Sequence, residues 1–327
     1  MEACFPCLGA RKNRMPPPPV EPTPAAAAAR TFSFEELAAA TRGFRDRVAG
    51  EEPCVYRGHL KSVNQVVAMK LQHIVDDTRL TEQRNSEFLA RVLMLNALRH
   101  PNLVGLVGFC ADGSHRILVH EHVPLGSLDD HLHDPSPNKA PLDWSTRMNV
   151  AVGVARALEY LHEKGAVYLC LRSSDILLGD GYRPKMSHYG LAKAGQLYQD
   201  HVEARAFARE PIGCLAPETV ETGYLSAASD VYSFGAVLLE LITGRRAFNR
   251  RAAEEDRHLV AWARPLLRDR VEFRRMADPA LQGRYPSMDL EAALTVASMC
   301  IKRNRAMRTP IGAVVTTLAR LAHDQPS

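Results

Sequence analysis

The chain lacks a surplus of either charge: 41 Lys and Arg stand against 37 Asp and Glu, a formal net charge of +4 over 327 residues. Binding a nucleic-acid backbone leans on a clear basic excess, so a nucleic-acid partner is not expected. It also lacks any apolar run near the roughly 18 residues a spanning helix needs. The nearest, Val237-Leu238-Leu239, is broken by Glu240. Paired cysteines are missing too, since the seven (Cys4, Cys7, Cys54, Cys110, Cys170, Cys214, Cys300) are odd in number and mostly far apart. With no apolar signal core at the start, that usage reads as reduced and cytosolic. Cys4 and Cys7 have zinc-like spacing but no second pair to complete four ligands. What is present, 46% hydrophobic and 24% charged residues, is the balance of a soluble globular chain, and 327 residues suit one large two-lobed domain or two small ones.

Residues 1–30 stand apart. They carry Arg11, Lys12 and Arg14, four prolines from Pro16 to Pro19, Pro22, Pro24 and an alanine run. Too few large apolar side chains offset the entropy of ordering such a segment, so it reads as a disordered Pro/Ala-rich tail. Residues 31–43 read as a short flanking helix with Ser33 as N-cap and Gly43 as terminator. Val55 to Leu60 and Val66 to Leu71 read as a strand hairpin. Phe88, Leu89, Val92, Leu95 and Leu98 fall at a helical period that Pro101 stops, and Ile117-Leu118-Val119 reads as a buried strand. Beyond Gly126 the pattern is mostly helical: 145–162, 229–243, 258–267 and 290–301.

Val67-Ala68-Met69-Lys70 on a strand, a helix after it, Leu177-Leu178, Ala216-Pro217-Glu218, Asp230-Val231-Tyr232-Ser233-Phe234-Gly235 and Arg308 resemble, in order and spacing, the protein-kinase signature set. Thr31-Phe32-Ser33-Phe34-Glu35-Glu36-Leu37, His100-Pro101-Asn102-Leu103-Val104, Pro124-Leu125-Gly126-Ser127-Leu128 and Asp278-Pro279, then Gly283 and Tyr285-Pro286, resemble plant receptor-like cytoplasmic kinases. The resemblance implies an α+β, two-lobed fold over residues 44–323, with a small β-rich N-lobe at 44–122 and a larger helical C-lobe at 127–323.

The site residues implied by the resemblance depart from its pattern. Where three spaced glycines should cover the phosphates, Gly50-Glu51-Glu52-Pro53-Cys54 keeps one, adds two carboxylates and places a proline that cannot donate. Lys70 is retained, yet its helix partner aligns to Arg91; Glu87 offers a substitute one turn earlier, about 6 Å along the axis. Lys70 is then either an anion contact or a relic whose stem packs in the small lobe. Cys170 stands where the catalytic Asp belongs. A thiol of pKa near ~8.5 is mostly protonated at neutral pH, and loss of a positioned base typically costs ~10²–10⁴ in rate. Cys170 reads as a small buried side chain rather than a reactive thiol. His188-Tyr189-Gly190 replaces the metal-binding Asp-Phe-Gly, and imidazole does not suit magnesium. Asp175, in the position of the second metal ligand, reads as a loop hydrogen-bond acceptor. The architectural residues Asp230, Gly190, Glu218 and Arg308 are all retained, and Tyr168, Tyr189 and Leu95 suit an apolar column between the lobes. In the segment before Ala216, Glu203 replaces a phosphorylatable hydroxyl, and 207–211 is longer than the family pattern.

These departures lead to the expectation of a pseudokinase: no enzyme, no required cofactor, ATP binding weak or absent, and magnesium unneeded. Such a chain would act as a scaffold or decoy in receptor-kinase signalling. Its expected partners are active receptor-like or cytoplasmic kinases. Two alternatives stay open, a weak or atypical ATP-dependent Ser/Thr protein kinase and a metal-independent nucleotide-binding switch. Cys4 and Cys7 are candidate acylation sites, since Glu2 excludes myristoylation. Two thioester chains, or one with the nearby basic residues, would hold the chain at the cytoplasmic face of the plasma membrane; without them it would be cytoplasmic.

Overall fold

The computed structural model describes residues 29–45, 47–49, 55–72, 78–135, 140–168, 170–187 and 213–323. Cys4, Cys7, Gly50 to Cys54, His188, Tyr189, Gly190, Glu203 and 207–211 therefore lie outside the described residues.

The small lobe is a six-stranded sheet: β1 (Arg30–Thr31), β2 (Arg47–Ala49), β3 (Val55–Leu60), β4 (Gln65–Gln72), β5 (Leu106–Cys110) and β6 (Arg116–Glu121), in the order β1-β5-β6-β4-β3-β2. The hairpin expected from the two β-branched runs is β3–β4, with Val55 opposite Lys70. Helix α1 (Phe34–Ala40) begins where Ser33 accepts from the Glu36 N–H, and it drives Leu37 into the small-lobe core beside Leu60, Val67, Met69 and Ile117. β1 runs parallel to β5, and Gly108 permits the approach. A Cβ there would lie 2.2 Å from the Arg30 carbonyl oxygen. Residues 30–40 are thereby built into the lobe, by backbone pairing as well as by Phe32 and Leu37.

Helix α2 (Thr78–Ala97) packs Phe88, Val92 and Leu95 inward. The large lobe follows with α3 (Leu128–His133), α4 (Trp144–Glu163), the hairpin β7 (Ile176–Leu178) and β8 (Pro184–Met186), α5 (Pro217–Thr222), α6 (Ala227–Thr243), α7 (Leu259–Leu266), α8 (Phe273–Met276), α9 (Ser287–Cys300) and α10 (Ile311–His323). Helix α6 is buried along nearly its whole length, as its apolar run on all faces requires, and forms the axis of the lobe against α4 and α9. It ends at Gly244 (φ +67°), where a Cβ would also meet the Asp278 carboxylate at 2.5 Å. That carboxylate pairs with buried Arg147 of α4 at 2.7 Å. The lobes are joined where Met186 exchanges backbone bonds with Asn102 and Val104, and where Lys185 of β8 meets Glu121 of β6 at 2.7 Å.

Candidate active site at the lobe junction

Lys70 lies on β4, a strand hydrogen-bonded on both sides, and is only 9% exposed. On β6 it faces Leu118, so His120, two residues on, lies diagonally across on the same face of the sheet. Arg91 projects from α2 close enough to act on both. Burial and then the Arg91 charge pull Lys70 down to about 7 from its ordinary 10.5, against an opposing pull from the Asp175 carboxylate. Burial, then Lys70 and Arg91, lower fully buried His120 to about 4, which keeps its imidazole neutral at physiological pH. Three basic side chains thus cluster in the small lobe, and Lys70 among them acts on the Asp175 carboxylate. The expected substitution of Arg91 at the helix position is what the structure places beside Lys70. The carboxylate of Glu87 accepts from Gln83 one turn earlier on the same helix.

Asp175 comes from the large lobe, at the end of a short 3-10 turn (Ser173–Asp175) before β7. It is 3% exposed, and its Oδ2 accepts from the Arg172 backbone N–H at 3.1 Å and from Arg172 Nε at 3.4 Å. Burial raises its pKa, opposed first by Arg172 and then by Lys70. Its backbone carbonyl accepts from the Ser187 N–H, which fixes the strand end leading into His188.

The catalytic-loop backbone is held from beneath. Asp230 on α6 is fully buried, and its Oδ2 accepts from the Tyr168 N–H and from His162 Nε2, each at 2.8 Å. Burial raises Asp230 to about 6, against the pull of His162. The Tyr168 hydroxyl donates to the Ser187 carbonyl at 3.0 Å, so the residues flanking the site are tied to each other. Tyr168 and Leu95 are both buried in the main core, while the third member of the expected column, Tyr189, lies outside the described residues. Glu218 and Arg308 make a two-pronged ion pair at 2.6 and 2.7 Å, and Ser229 donates to the same carboxylate. The aromatic face of Tyr232 lies under the Arg308 guanidinium.

Cys170 is buried, and its Sγ lies 2.9 Å from Sγ of Cys214. Beside this pair opens a cavity of about 240 Å³ lined by Asp129, Arg172, Ser173, Cys214, Glu240 and Arg246. Arg246 turns inward there and pairs with Asp129 at 2.8 Å. Two features of the site escaped the sequence reading. His120 was legible as the continuation of the Ile117-Leu118-Val119 strand; the contact of Cys170 with Cys214 had no signal in one dimension.

Magnesium takes hard oxygen ligands in near-octahedral geometry. At the junction the carboxylates of Asp175 and Glu121 are already engaged by Arg172 and Lys185, and Lys70, Arg91 and His120 add basic groups beside them. That donor set does not by itself fit the ion, and no step below is routed through a metal.

The kinase model described as protein tyrosine and serine/threonine kinase matches residues 48–270. The chain is 53% identical over 319 residues to serine/threonine-protein kinase PBL27 of Arabidopsis thaliana, covering 95% of this chain and 61% of that protein. It is 52% identical over 301 residues to probable serine/threonine-protein kinase PBL7 of the same plant, covering 90% and 78%. Against serine/threonine-protein kinase PBS1 the identity is 51% over 303 residues, covering 90% and 65%. The chain thus spans less than two thirds of the length of two of these three relatives. These findings overturn the expectation of a non-enzyme scaffold or decoy, because relatives about half identical along nearly the whole chain are named as serine/threonine-protein kinases. The expectation that no cofactor takes part falls with it, since such kinases transfer phosphate from ATP with magnesium. Replaced motif residues weighed more in the sequence reading than the agreement of the rest of the chain. Fold, lobe junction and similarity agree: the chain belongs to the protein tyrosine and serine/threonine kinase family.

Proposed function

We propose that the chain is an atypical ATP-dependent serine/threonine-protein kinase of low turnover, with Lys70 receiving the phosphates. The observation that supports this most is the placing of Lys70, a buried cation of the small lobe whose charge is felt by Asp175 of the large lobe. A lysine that titrates near neutrality becomes fully charged when a phosphate arrives, so anion binding and protonation reinforce each other. Arg91 adds a second positive charge to the same place. Phosphoryl transfer depends mainly on positioning and charge stabilisation. The missing carboxylate base at Cys170 therefore slows the reaction by ~10²–10⁴ rather than abolishing it. Transfer of labelled γ-phosphate to serine and threonine of a protein acceptor tests the reading. Incorporation that Lys70→Ala abolishes supports it; none above a protein-free blank refutes it.

The basic cluster favours a second reading, a nucleotide-binding switch that neutralises the phosphates with Lys70 and Arg91 instead of a divalent ion. A rise in melting temperature with ATP in the presence of a chelator supports it, because a ligand that binds the native state stabilises it. Equal melting temperatures with and without ATP remove it.

We further propose partners among receptor-like and cytoplasmic kinases, and attachment to the plasma membrane through thioesters at Cys4 or Cys7. Release of the full chain from membranes by neutral hydroxylamine supports that attachment; retention, or absence from membranes at the outset, counts against it.

A further inference from the structure

We propose that Cys170 and Cys214 form a redox-active dithiol, a modification site at which a peroxide converts two adjacent thiols into a disulfide joining the catalytic loop to the segment before α5. The two residues are 44 apart in sequence, yet their sulfurs lie 2.9 Å apart. A disulfide needs about 2.05 Å, so the sulfurs close by roughly 0.9 Å to form the bond. Both are buried, at 7% and 1% exposed, so each thiol has the other as its nearest sulfur.

Access and charge are asymmetric. Cys214 lines the 240 Å³ cavity, which is large enough for a small peroxide, together with Arg172 and Ser173. The Arg172 guanidinium acts on both sulfurs, which favours a thiolate when one forms. Burial and the Cys170 neighbour hold the Cys214 thiol well above its ordinary range, so oxidation answers to sustained rather than brief exposure. Cys214 gives up its proton and attacks a peroxide oxygen as thiolate; the O–O bond breaks, the departing hydroxide takes that proton and leaves as water, and sulfenic acid remains on Cys214. Cys170 then attacks that sulfur, the S–O bond breaks, and a second water leaves. In sum, two thiols and one hydrogen peroxide give one disulfide and two waters, with both electrons supplied by the sulfurs.

The consequence follows from position. The bond would close a covalent loop from 170 to 214 and tie Cys214, which lines the cavity, to the stretch that leads into Arg172 and Ser173 on its other side. Its effect on phosphate transfer rests on the kinase reading; the disulfide itself does not.

The test uses the full chain. It is treated with hydrogen peroxide, quenched with a maleimide under denaturing conditions, and digested without reduction for peptide mass mapping. Expected is a linked peptide pair containing Cys170 and Cys214, lighter by the two thiol hydrogens, abolished by dithiothreitol and absent from both Cys170→Ser and Cys214→Ser. Cys110 and Cys300, also buried but without a paired sulfur among the described residues, are expected alkylated and unlinked. Recovery of both Cys170 and Cys214 as maleimide adducts overturns the proposal. So does linkage of either to Cys4, Cys7 or Cys54, or sulfinic acid on Cys214 without the link. If the link forms and no phosphate transfer is found in reduced protein, the kinase reading fails and the dithiol stands. If transfer is found and no link forms, the reverse holds.

Discussion

Replacing Lys70 by methionine removes a buried cation and keeps most of its apolar stem. In the folded chain Lys70 titrates at about 7, against 10.5 in the ordinary state. The unfolded chain therefore holds a proton on this residue that the folded chain has lost, and stability rises with pH across that window. Below pH 7 both states are charged and the full cost of burying the cation is present; it is relieved as pH climbs toward 10.5. At ~1.36 kcal/mol per pKa unit the cost has a ceiling of about 5 kcal/mol, and between pH 7.5 and 9.5 the relief amounts to roughly 2–3 kcal/mol. Urea unfolding of wild type and Lys70→Met at pH 7.5, 8.5 and 9.5 isolates this contribution, because other titrating groups cancel in the difference. The variant is expected to be more stable at pH 7.5, by about 1–3 kcal/mol after loss of the Asp175 attraction, with its advantage shrinking as pH rises. Parallel pH profiles for the two proteins would refute the reasoning.

Arg91→Glu should flatten the same profile, since it replaces a repelling neighbour of Lys70 by an attracting one, and Lys70 should then stay charged to higher pH; an unchanged profile would place Arg91 away from Lys70. Arg308→Ala leaves the partly buried Glu218 carboxylate without its two-pronged partner and is expected to destabilise the chain by about 3–5 kcal/mol in urea unfolding. The hydrogen bonds from Arg308 hold Glu218 below its ordinary pKa, although burial acts the other way. The stability from that pair is therefore present above the unfolded glutamate pKa and is lost as pH falls through the depressed folded value, and Arg308→Ala should lose this acid sensitivity. Gly244→Ala combines a left-handed backbone with a Cβ pressed on the Asp278 carboxylate, so a loss of several °C in melting temperature is expected, against a smaller loss for Gly165→Ala, where the left-handed backbone is strained but the Cβ meets nothing.

Much of the fold was legible because its signals are local. The β-branched runs of β3 and β4, the helical period of Phe88, Val92 and Leu95, and the Ser33 cap each specify an element within a few residues. The parallel pairing of β1 with β5 was not, since it depends on Gly108 meeting a backbone almost 80 residues away, and two strand residues carry no period. The site was half legible. Lys70, Asp175, Asp230, Glu218 and Arg308 could be named from order and spacing, and Arg91 was correctly set beside Lys70. Their electrostatics could not, because the neutral His120 and the depressed Lys70 arise from burial that only the packed lobes produce. The contact of Cys170 and Cys214 likewise belongs to tertiary structure alone. Departures at Cys170 and His188 led the sequence reading to inactivity, while similarity along the whole chain corrects it.

The most direct test of the kinase account is a single-turnover measurement with the full chain in excess over γ-labelled ATP and magnesium, in the presence of a serine/threonine protein acceptor. Kinases turn over at roughly 1–100 per second. A loss of ~10²–10⁴ from the missing base still leaves transfer complete within hours. The account predicts phosphoserine or phosphothreonine accumulating on that timescale in wild type and absent in Lys70→Ala. No phosphorylated residue after that time, or equal yields from both proteins, would contradict it.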